Sequence, residues 1–223
     1  MNNEAFSEAI RAIESKIEVA AKRVGRDSRD VTLIAASKTV SSEAILSAVA
    51  AGVRVFGENR VQEAIKKFST LPVDRSLYAL HLIGSLQMNK VKKAVGFFDL
   101  IHSIDAISLA EKVNQEAERQ SLTQAILVQV NVGDEVSKGG VSIPEFPYLI
   151  DAIGKMSHLK LLGLMAIPPA MKDPRPYFAQ LRGMGESCGF IKLSMGMSSD
   201  FEVAIEEGAS WVRVGTALFG TRR

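Results

Sequence analysis

The residues best suited to chemistry lie near the end of the chain, in two turns that each follow a strand-like run. The first turn lies within residues 193–200, Leu-Ser-Met-Gly-Met-Ser-Ser-Asp, and the second within residues 211–216, Trp-Val-Arg-Val-Gly-Thr. Their hydroxyl groups can donate hydrogen bonds, and Gly196 and Gly215 would let the backbone approach a ligand closely. A helix opening near Ser199 would point free N–H groups at the same place. The two turns together predict a binding site for an anion such as a phosphate group.

A lysine near the other end of the chain could complement this anion site. Lys38 follows the apolar run at residues 31–37, and no other lysine closes a strand-like run in this way. A structural lysine at this position would simply extend into solvent. Beside apolar surface, its amine would be partly desolvated, would lose proton affinity and could form a Schiff base with an aldehyde. A phosphate site and a reactive lysine in one protein suggest pyridoxal phosphate held as a Schiff base.

Other polar and sulfur-containing residues allow both structural and functional interpretations. Arg213 could form an ion pair with Glu58 or Asp200, or could contact the pyridine nitrogen of the cofactor. Lys138 lies in a polar loop with two glycines, and it is either solvated or able to close over a ligand. Met195 and Met197 are predicted to pack rather than to take part in chemistry. His81 and His102 are predicted to be hydrogen-bonded core residues rather than acid–base groups.

Composition excludes several classes of protein. The 27 basic and 25 acidic residues among 223 leave a net charge of +2, which gives no general case for nucleic-acid binding. The chain contains no run of about 18 apolar residues and begins without the basic and apolar regions of a signal peptide, so we expect a cytoplasmic protein with no membrane span. A single cysteine and three histidines without metal-binding spacing argue against a disulfide or a metal site.

Strand-like and helical runs alternate from residue 31 onward, the pattern of a parallel sheet with crossover helices. Eight apolar runs predict strands at residues 31–37, 53–57, 78–84, 100–104, 125–132, 161–167, 191–195 and 211–215. Helices are predicted between them at residues 42–51, 60–68, 89–95, 106–119, 144–153, 177–186 and 200–207. Eight such units predict an α/β fold in the form of a closed (β/α)8 TIM barrel.

An open, doubly wound sheet is the alternative fold. No G-x-G-x-x-G fingerprint follows the first strand, where residues 36–39 are Ala-Ser-Lys-Thr, and this favours the barrel. Residues 4–24 have apolar positions at helical spacing and predict an extra N-terminal helix. We therefore predict a single domain over residues 1–223, with residues 1–25 packed on the barrel. Residues 170–189 are interrupted by glycines and look short for a full sixth helix.

Several motifs, spread in order over nearly the whole chain, resemble those of the pyridoxal phosphate homeostasis proteins, single-domain relatives of the alanine racemase N-terminal barrel. The matching segments are Ala36-Ser-Lys-Thr39, Phe56-Gly-Glu-Asn-Arg60 with Gln62-Glu63, His81-Leu-Ile-Gly-Ser-Leu-Gln-Met-Asn-Lys90, His102-Ser-Ile-Asp105, Val130-Asn131 with Ser137-Lys138, Gly163-Leu-Met165, Leu193-Ser-Met-Gly-Met-Ser-Ser-Asp200, and Val212-Arg-Val-Gly-Thr216 with Phe219-Gly220.

This resemblance implies that Lys38 carries pyridoxal 5'-phosphate as a Schiff base and that Arg213 contacts the pyridine nitrogen. It also implies a role in cofactor homeostasis, buffering or delivering pyridoxal phosphate without robust turnover. The expected partners are the cofactor and, transiently, apo forms of enzymes that use it, with the protein itself a monomer. The complete candidate set of cofactor-binding residues is Lys38, Asn59, Met195, Ser198, Ser199, Arg213, Gly215 and Thr216, and no catalytic or metal-binding residue is predicted.

Two enzymatic alternatives remain open from the sequence. An amino-acid racemase of the alanine racemase type would need a second catalytic base, which a C-terminal β-domain supplies in those enzymes. The present sequence stops at Arg223, and its tyrosines, Tyr78, Tyr148 and Tyr177, end none of the predicted strands. A Schiff-base aldolase acting on a sugar phosphate would use the same lysine and phosphate turns without any cofactor.

Overall fold

The computed structural model describes residues 3–135, 139–170 and 172–220. Lys138, which the sequence suggested as a possible ligand-closing residue, lies outside this part. The strands are β1 (Thr32–Ala36), β2 (Val55–Glu58), β3 (Ala79–Leu82), β4 (Leu100–Ile104), β5 (Gln124–Val130), β6 (Leu159–Ala166), β7 (Lys192–Met197) and β8 (Trp211–Val214). The helices are α1 (Asn3–Arg23), α2 (Ser42–Ala50), α3 (Val61–Phe68), α4 (Val91–Ala94), α5 (Ile107–Arg119), α6 (Phe146–Gly154), α7 (Arg175–Ser187), α8 (Phe201–Glu206) and α9 (Thr216–Phe219).

The eight strands form a closed parallel barrel in which each strand pairs with its neighbours in sequence. Closure is made by β1 and β8, where Ile34 pairs with Arg213 and Ala35 with Val214. The predicted (β/α)8 TIM barrel is therefore confirmed, and the alternative of an open sheet is wrong. Parallel strands that are all connected by helices place their carboxyl ends at one face of the barrel, which is where the polar residues after each strand meet.

Two apolar layers hold the barrel together. The larger layer lies between the strands and the surrounding helices, and its fully buried members include Phe56, Leu80 and Phe178. The smaller layer contains Leu100, Leu127 and Met165, which pack together. The strands are therefore covered on both faces, as expected for parallel sheets.

The N-terminal helix α1 lies in the ring of helices between α8 and α2, and it also contacts α9. Its apolar side, including Phe6, Ile13 and Ile17, is buried. Beyond its end, Arg26 donates hydrogen bonds to the carbonyl oxygens of Ile205 and Ala209, at 2.7 and 3.0 Å. Since α9 is only four residues long, α1 occupies the position that a helix after the eighth strand fills in a regular barrel.

The helix after β6 is longer than the sequence suggested. Residues 170–189 looked too short for a full helix, whereas α7 spans thirteen residues. Phe178 and Leu181 are fully buried on its inner side, so their burial compensates for the low helix propensity of glycine. A Cβ on Gly185 would lie only 3.1 Å from the carbonyl oxygen of Phe190, which shows that this glycine permits close packing.

Candidate functional site

A cavity of about 920 Å³ lies at the carboxyl ends of the strands, where the sequence predicted the functional face. It is partly open to solvent, and its border includes residues from β1, β8 and the loops after β2, β6 and β7. Of the eight predicted cofactor-binding residues, those that line the cavity are Lys38, Asn59, Ser198, Ser199, Arg213, Gly215 and Thr216.

Lys38 lies in a turn two residues beyond the end of β1 and its side chain is exposed. Of the two environments that the sequence left open for Lys38, a solvated and a partly desolvated one, the structure has the solvent-exposed one. The reason is local, because β1 ends at Ala36 and the chain then turns through Thr39, whose φ is +63°. The turn is closed by a 3.0 Å hydrogen bond from the Val40 amide to the Ser37 carbonyl oxygen.

Arg213 is the buried cation of the site. Its Nη1 donates to the hydroxyl of Ser194 at 2.7 Å and its Nη2 to the carbonyl oxygen of Ala166 at 3.0 Å. Burial lowers the pKa of Arg213 to about 10, and the negative charge of Asp200 partly opposes this shift. The ion pair with Glu58 or Asp200 that the sequence allowed is not formed among the described residues. The guanidinium lines the cavity as a cation with which no described carboxylate forms an ion pair.

A chain of hydrogen bonds leads from Arg213 into the barrel interior. The Ser194 hydroxyl lies 2.9 Å from Nδ1 of His102, and Nε2 of His102 lies 3.1 Å from Nδ1 of His81. The Trp211 ring stacks edge-on against both imidazoles. Both histidines are thus hydrogen-bonded core residues, as predicted. Burial lowers the pKa of His81 to about 4 and that of His102 well below its ordinary value, so both are neutral at pH 7.

Packing against α8 fixes the conformation of Gly196, near the end of β7. Gly196 has φ +89°, and a Cβ there would lie 2.5 Å from Cβ of Ala204 and 2.9 Å from Cα of Phe201. The sequence explained this glycine by close approach to an anion, whereas the structure shows that it lets α8 pack against the end of β7. The helix begins at Phe201, and the Asp200 carboxylate accepts the Met197 amide at 2.5 Å. Ser199, just before the helix, lies in the cavity wall.

Met195 is the one predicted cofactor-binding residue that does not line the cavity. Its side chain is fully buried in the apolar layer between strands and helices. Successive side chains of a strand point to opposite faces, so Ser194 points into the barrel and Met195 points outward. Its role is packing, which the sequence also predicted for it.

We expect Gly196→Ala to lower the free energy of unfolding by about 3 kcal/mol, because the new methyl group clashes with α8 and the residue is forced to keep a positive φ. Urea unfolding monitored by circular dichroism measures this change. Gly183→Ala is the matched control, since Gly183 is exposed on α7 and an added Cβ there meets no atom within 4 Å. The control should leave stability unchanged or slightly increased, and equal losses in both variants would contradict the packing role of Gly196.

Two aromatic residues of the cavity wall were not among the predicted site residues. Phe6 of α1 and Phe219 of α9 both line the cavity, and their rings pack edge to face with centroids 5.3 Å apart. Phe6 looked like one of several apolar residues on an amphipathic helix, and α9 was not predicted at all. Opposite ends of the chain form this wall, so only the closure of the barrel reveals it.

The chemistry of the cavity fits pyridoxal phosphate. Hydroxyls from two turns, at Ser198, Ser199 and Thr216, border the same space as the buried guanidinium of Arg213. Hydroxyls, and a cation that forms no ion pair within the described part of the chain, suit a phosphorylated, anionic ligand. The Lys38 amine borders the same cavity and can condense with an aldehyde. The volume exceeds that of a single cofactor molecule and leaves room for water.

Comparison with known proteins agrees with this geometry. The family described as "Alanine racemase, N-terminal domain" matches residues 9–223, so the barrel is of the alanine racemase N-terminal class. Within that class, the chain belongs to the pyridoxal phosphate homeostasis protein family. It is 43% identical to the pyridoxal phosphate homeostasis protein of Aquifex aeolicus, over 97% of this chain and 98% of the relative. It is 39% identical to the protein of the same name from Pseudomonas aeruginosa, over 97% and 96%.

A solved structure extends the comparison to the fold. The structure of PipY from Synechococcus elongatus with PLP bound has a TM-score of 0.84 and 36% sequence identity to the chain, covering 96% of this chain and 100% of PipY. None of the helices in the described part of the chain combines the length and the hydropathy that a membrane span needs.

Proposed function

We propose that the chain binds pyridoxal 5'-phosphate, held as a Schiff base on Lys38, and serves in cofactor homeostasis. The proposal is supported by membership of the pyridoxal phosphate homeostasis family and by the PLP-bound structure of PipY. In this role the protein buffers the cofactor in the cytoplasm and delivers it transiently to apo-enzymes. The unit that does so is a monomer with one domain over residues 1–223, and residues 1–25 form its N-terminal extension.

The polar residues predicted for the site can each be assigned a part of the cofactor to bind. The hydroxyls of Ser198, Ser199 and Thr216, together with the backbone at Gly215, would hold the phosphate group. Arg213 would meet the pyridine nitrogen. An arginine is protonated at neutral pH even with its pKa near 10, so it keeps that nitrogen unprotonated and weakens the ring as an electron sink. Asn59, which borders the same cavity, would line the cofactor pocket.

One observation favours a carrier over a racemase, namely that the cavity holds a single ordinary base. Among the described residues that line it, Lys38 is the one lysine, and none is a histidine, carboxylate, cysteine or tyrosine. Tyr78 is buried against Phe56 and Phe68, and Tyr148 is exposed on α6. Racemisation needs proton transfer on both faces of the substrate, so a single base predicts slow turnover or none. The cavity is also open to water, which suits release of a cofactor better than protection of a reactive intermediate.

The visible absorption spectrum of the purified protein, before and after borohydride reduction, tests the proposal. We expect a yellow Schiff-base band that disappears on reduction and a labelled peptide that contains Lys38. Steady interconversion of alanine enantiomers by the loaded protein would instead support the racemase. A protein that is colourless, and stays so after addition of pyridoxal phosphate, would overturn cofactor binding and favour the aldolase.

A further inference from the structure

A buried carboxylate lies directly beneath the turn that carries Lys38. Glu58 is the last residue of β2 and is fully buried. Its Oε1 accepts two hydrogen bonds, from the Ser37 hydroxyl and from Nζ of Lys67, each at 2.7 Å. Its Oε2 is buried and has no hydrogen-bond partner in the described part of the chain.

Lys67 connects this carboxylate to the backbone of the turn. It projects from α3, with 13% of its side chain exposed. Besides Glu58, its Nζ donates to the carbonyl oxygen of Ser37 at 2.7 Å. That carbonyl belongs to the peptide group that joins Ser37 to Lys38. It also accepts the Val40 amide that closes the turn, so Lys67 and Val40 hold the same oxygen.

Stability does not explain this cluster well. Bringing a carboxylate and an ammonium group into the interior costs several kcal/mol per ion, and their attraction repays this only when all polar atoms are satisfied. Here one oxygen of Glu58 has no partner, which adds a further cost. Apolar side chains of similar volume often stabilise a fold as well as a buried ion pair does, or better. Because the Glu58–Lys67 pair costs stability at this position, we look for its benefit in the placement of the Ser37–Lys38 peptide group to which it is hydrogen-bonded.

We propose that Glu58 and Lys67 are positioning residues, which hold the Ser37–Lys38 peptide so that the exposed Lys38 amine enters the cavity from a fixed point. The same ion pair fixes Asn59, which follows Glu58 directly and lines the cavity. Lys38 projects from a turn rather than a strand, so it lacks the ladder of hydrogen bonds that would otherwise restrain it. The inference rests on the proposed function of Lys38 as the attachment residue.

Lys67→Met removes both hydrogen bonds and keeps most of the aliphatic stem. Because this variant leaves a buried charge on Glu58 and could unfold, the double variant Glu58→Gln/Lys67→Met is made beside it. Lys66→Met is the matched control, since Lys66 is the exposed neighbour on the same helix. The first measurement needs no cofactor, and it is the hydrogen-exchange rate of the Val40 amide, expected to rise about tenfold or more in both test variants and to stay unchanged in the control.

The second measurement is the rate constant of Schiff-base formation after pyridoxal phosphate is mixed with each protein. A misplaced reactive group typically costs about 10- to 100-fold in rate, so we expect a loss of that size in the test variants, with the melting temperature of the double variant close to that of the wild type. Unchanged rates and unchanged Val40 exchange in a folded double variant would overturn the positioning role. A wild-type protein that forms no Schiff base would instead overturn the proposed function, whatever the exchange rates show.

Discussion

Lys38→Ala is expected to abolish covalent attachment of pyridoxal phosphate completely. Among the described residues, Lys38 carries the one amine that borders the cavity, so no other described lysine is placed to replace it there. The side chain is exposed and takes no part in the core, and we therefore expect a change of less than about 0.5 kcal/mol in the free energy of unfolding. Mass spectrometry of the borohydride-reduced protein measures the attachment, and urea unfolding checks the stability.

A second substitution separates attachment from non-covalent binding. Lys38→Arg keeps a positive charge at the cavity but cannot form a stable imine, so it should retain more of the non-covalent affinity for the cofactor than Lys38→Ala while also giving no reduced adduct. Equilibrium dialysis before reduction makes this comparison. An adduct that persists in both variants would place the attachment elsewhere, and Lys138 would be the next lysine to replace.

The free energy of unfolding should fall steeply as the pH drops from 6.5 toward 4. A buried histidine with a lowered pKa stays neutral in the folded protein but takes up a proton in the unfolded chain near pH 6.5, so acid favours unfolding. A shift of His81 from 6.5 to about 4 corresponds to a loss of about 3 kcal/mol over this interval. His102 shifts in the same direction and adds to the loss. Above pH 6.5 the histidines are neutral in both the folded and the unfolded chain, so this loss of stability is absent there.

Urea unfolding at a series of pH values measures this dependence. The interval from pH 6.5 to 5 is the most informative, because carboxylates with a lowered pKa, such as Glu116 at about 2, begin to contribute only near pH 4.5. His81→Gln should reduce the slope of the free energy of unfolding against pH by an amount that corresponds to the uptake of at most one proton on unfolding. His158→Gln serves as the control, since His158 lies outside the barrel interior and bonds to the Leu122 carbonyl oxygen. A flat profile in the wild type between pH 6.5 and 5 would contradict the buried neutral pair.

Much of the fold could be predicted, because hydrophobic periodicity is local and strong in this chain. The predicted strands and helices start and end within two residues of those in the structure. Helix ends were harder to explain. Ser41 caps α2 by accepting the Ala44 amide. The helix that the sequence placed near Ser199 begins at Phe201, after Asp200, which makes no side-chain cap hydrogen bond. The helix α9 was missed because four residues are too few to show a period.

The sequence by itself determined the order of strands and helices, the barrel that follows from it, and seven of its eight cofactor-site candidates as residues that line the cavity, because residues just after parallel strands must meet at one face. Only the tertiary structure decided the environment of each group. It left Lys38 exposed beyond β1, paired Glu58 with Lys67 instead of Arg213, and turned Met195 away from the cavity. Exposure and partners depend on contacts between residues far apart in the chain, and a one-dimensional pattern does not contain those distances.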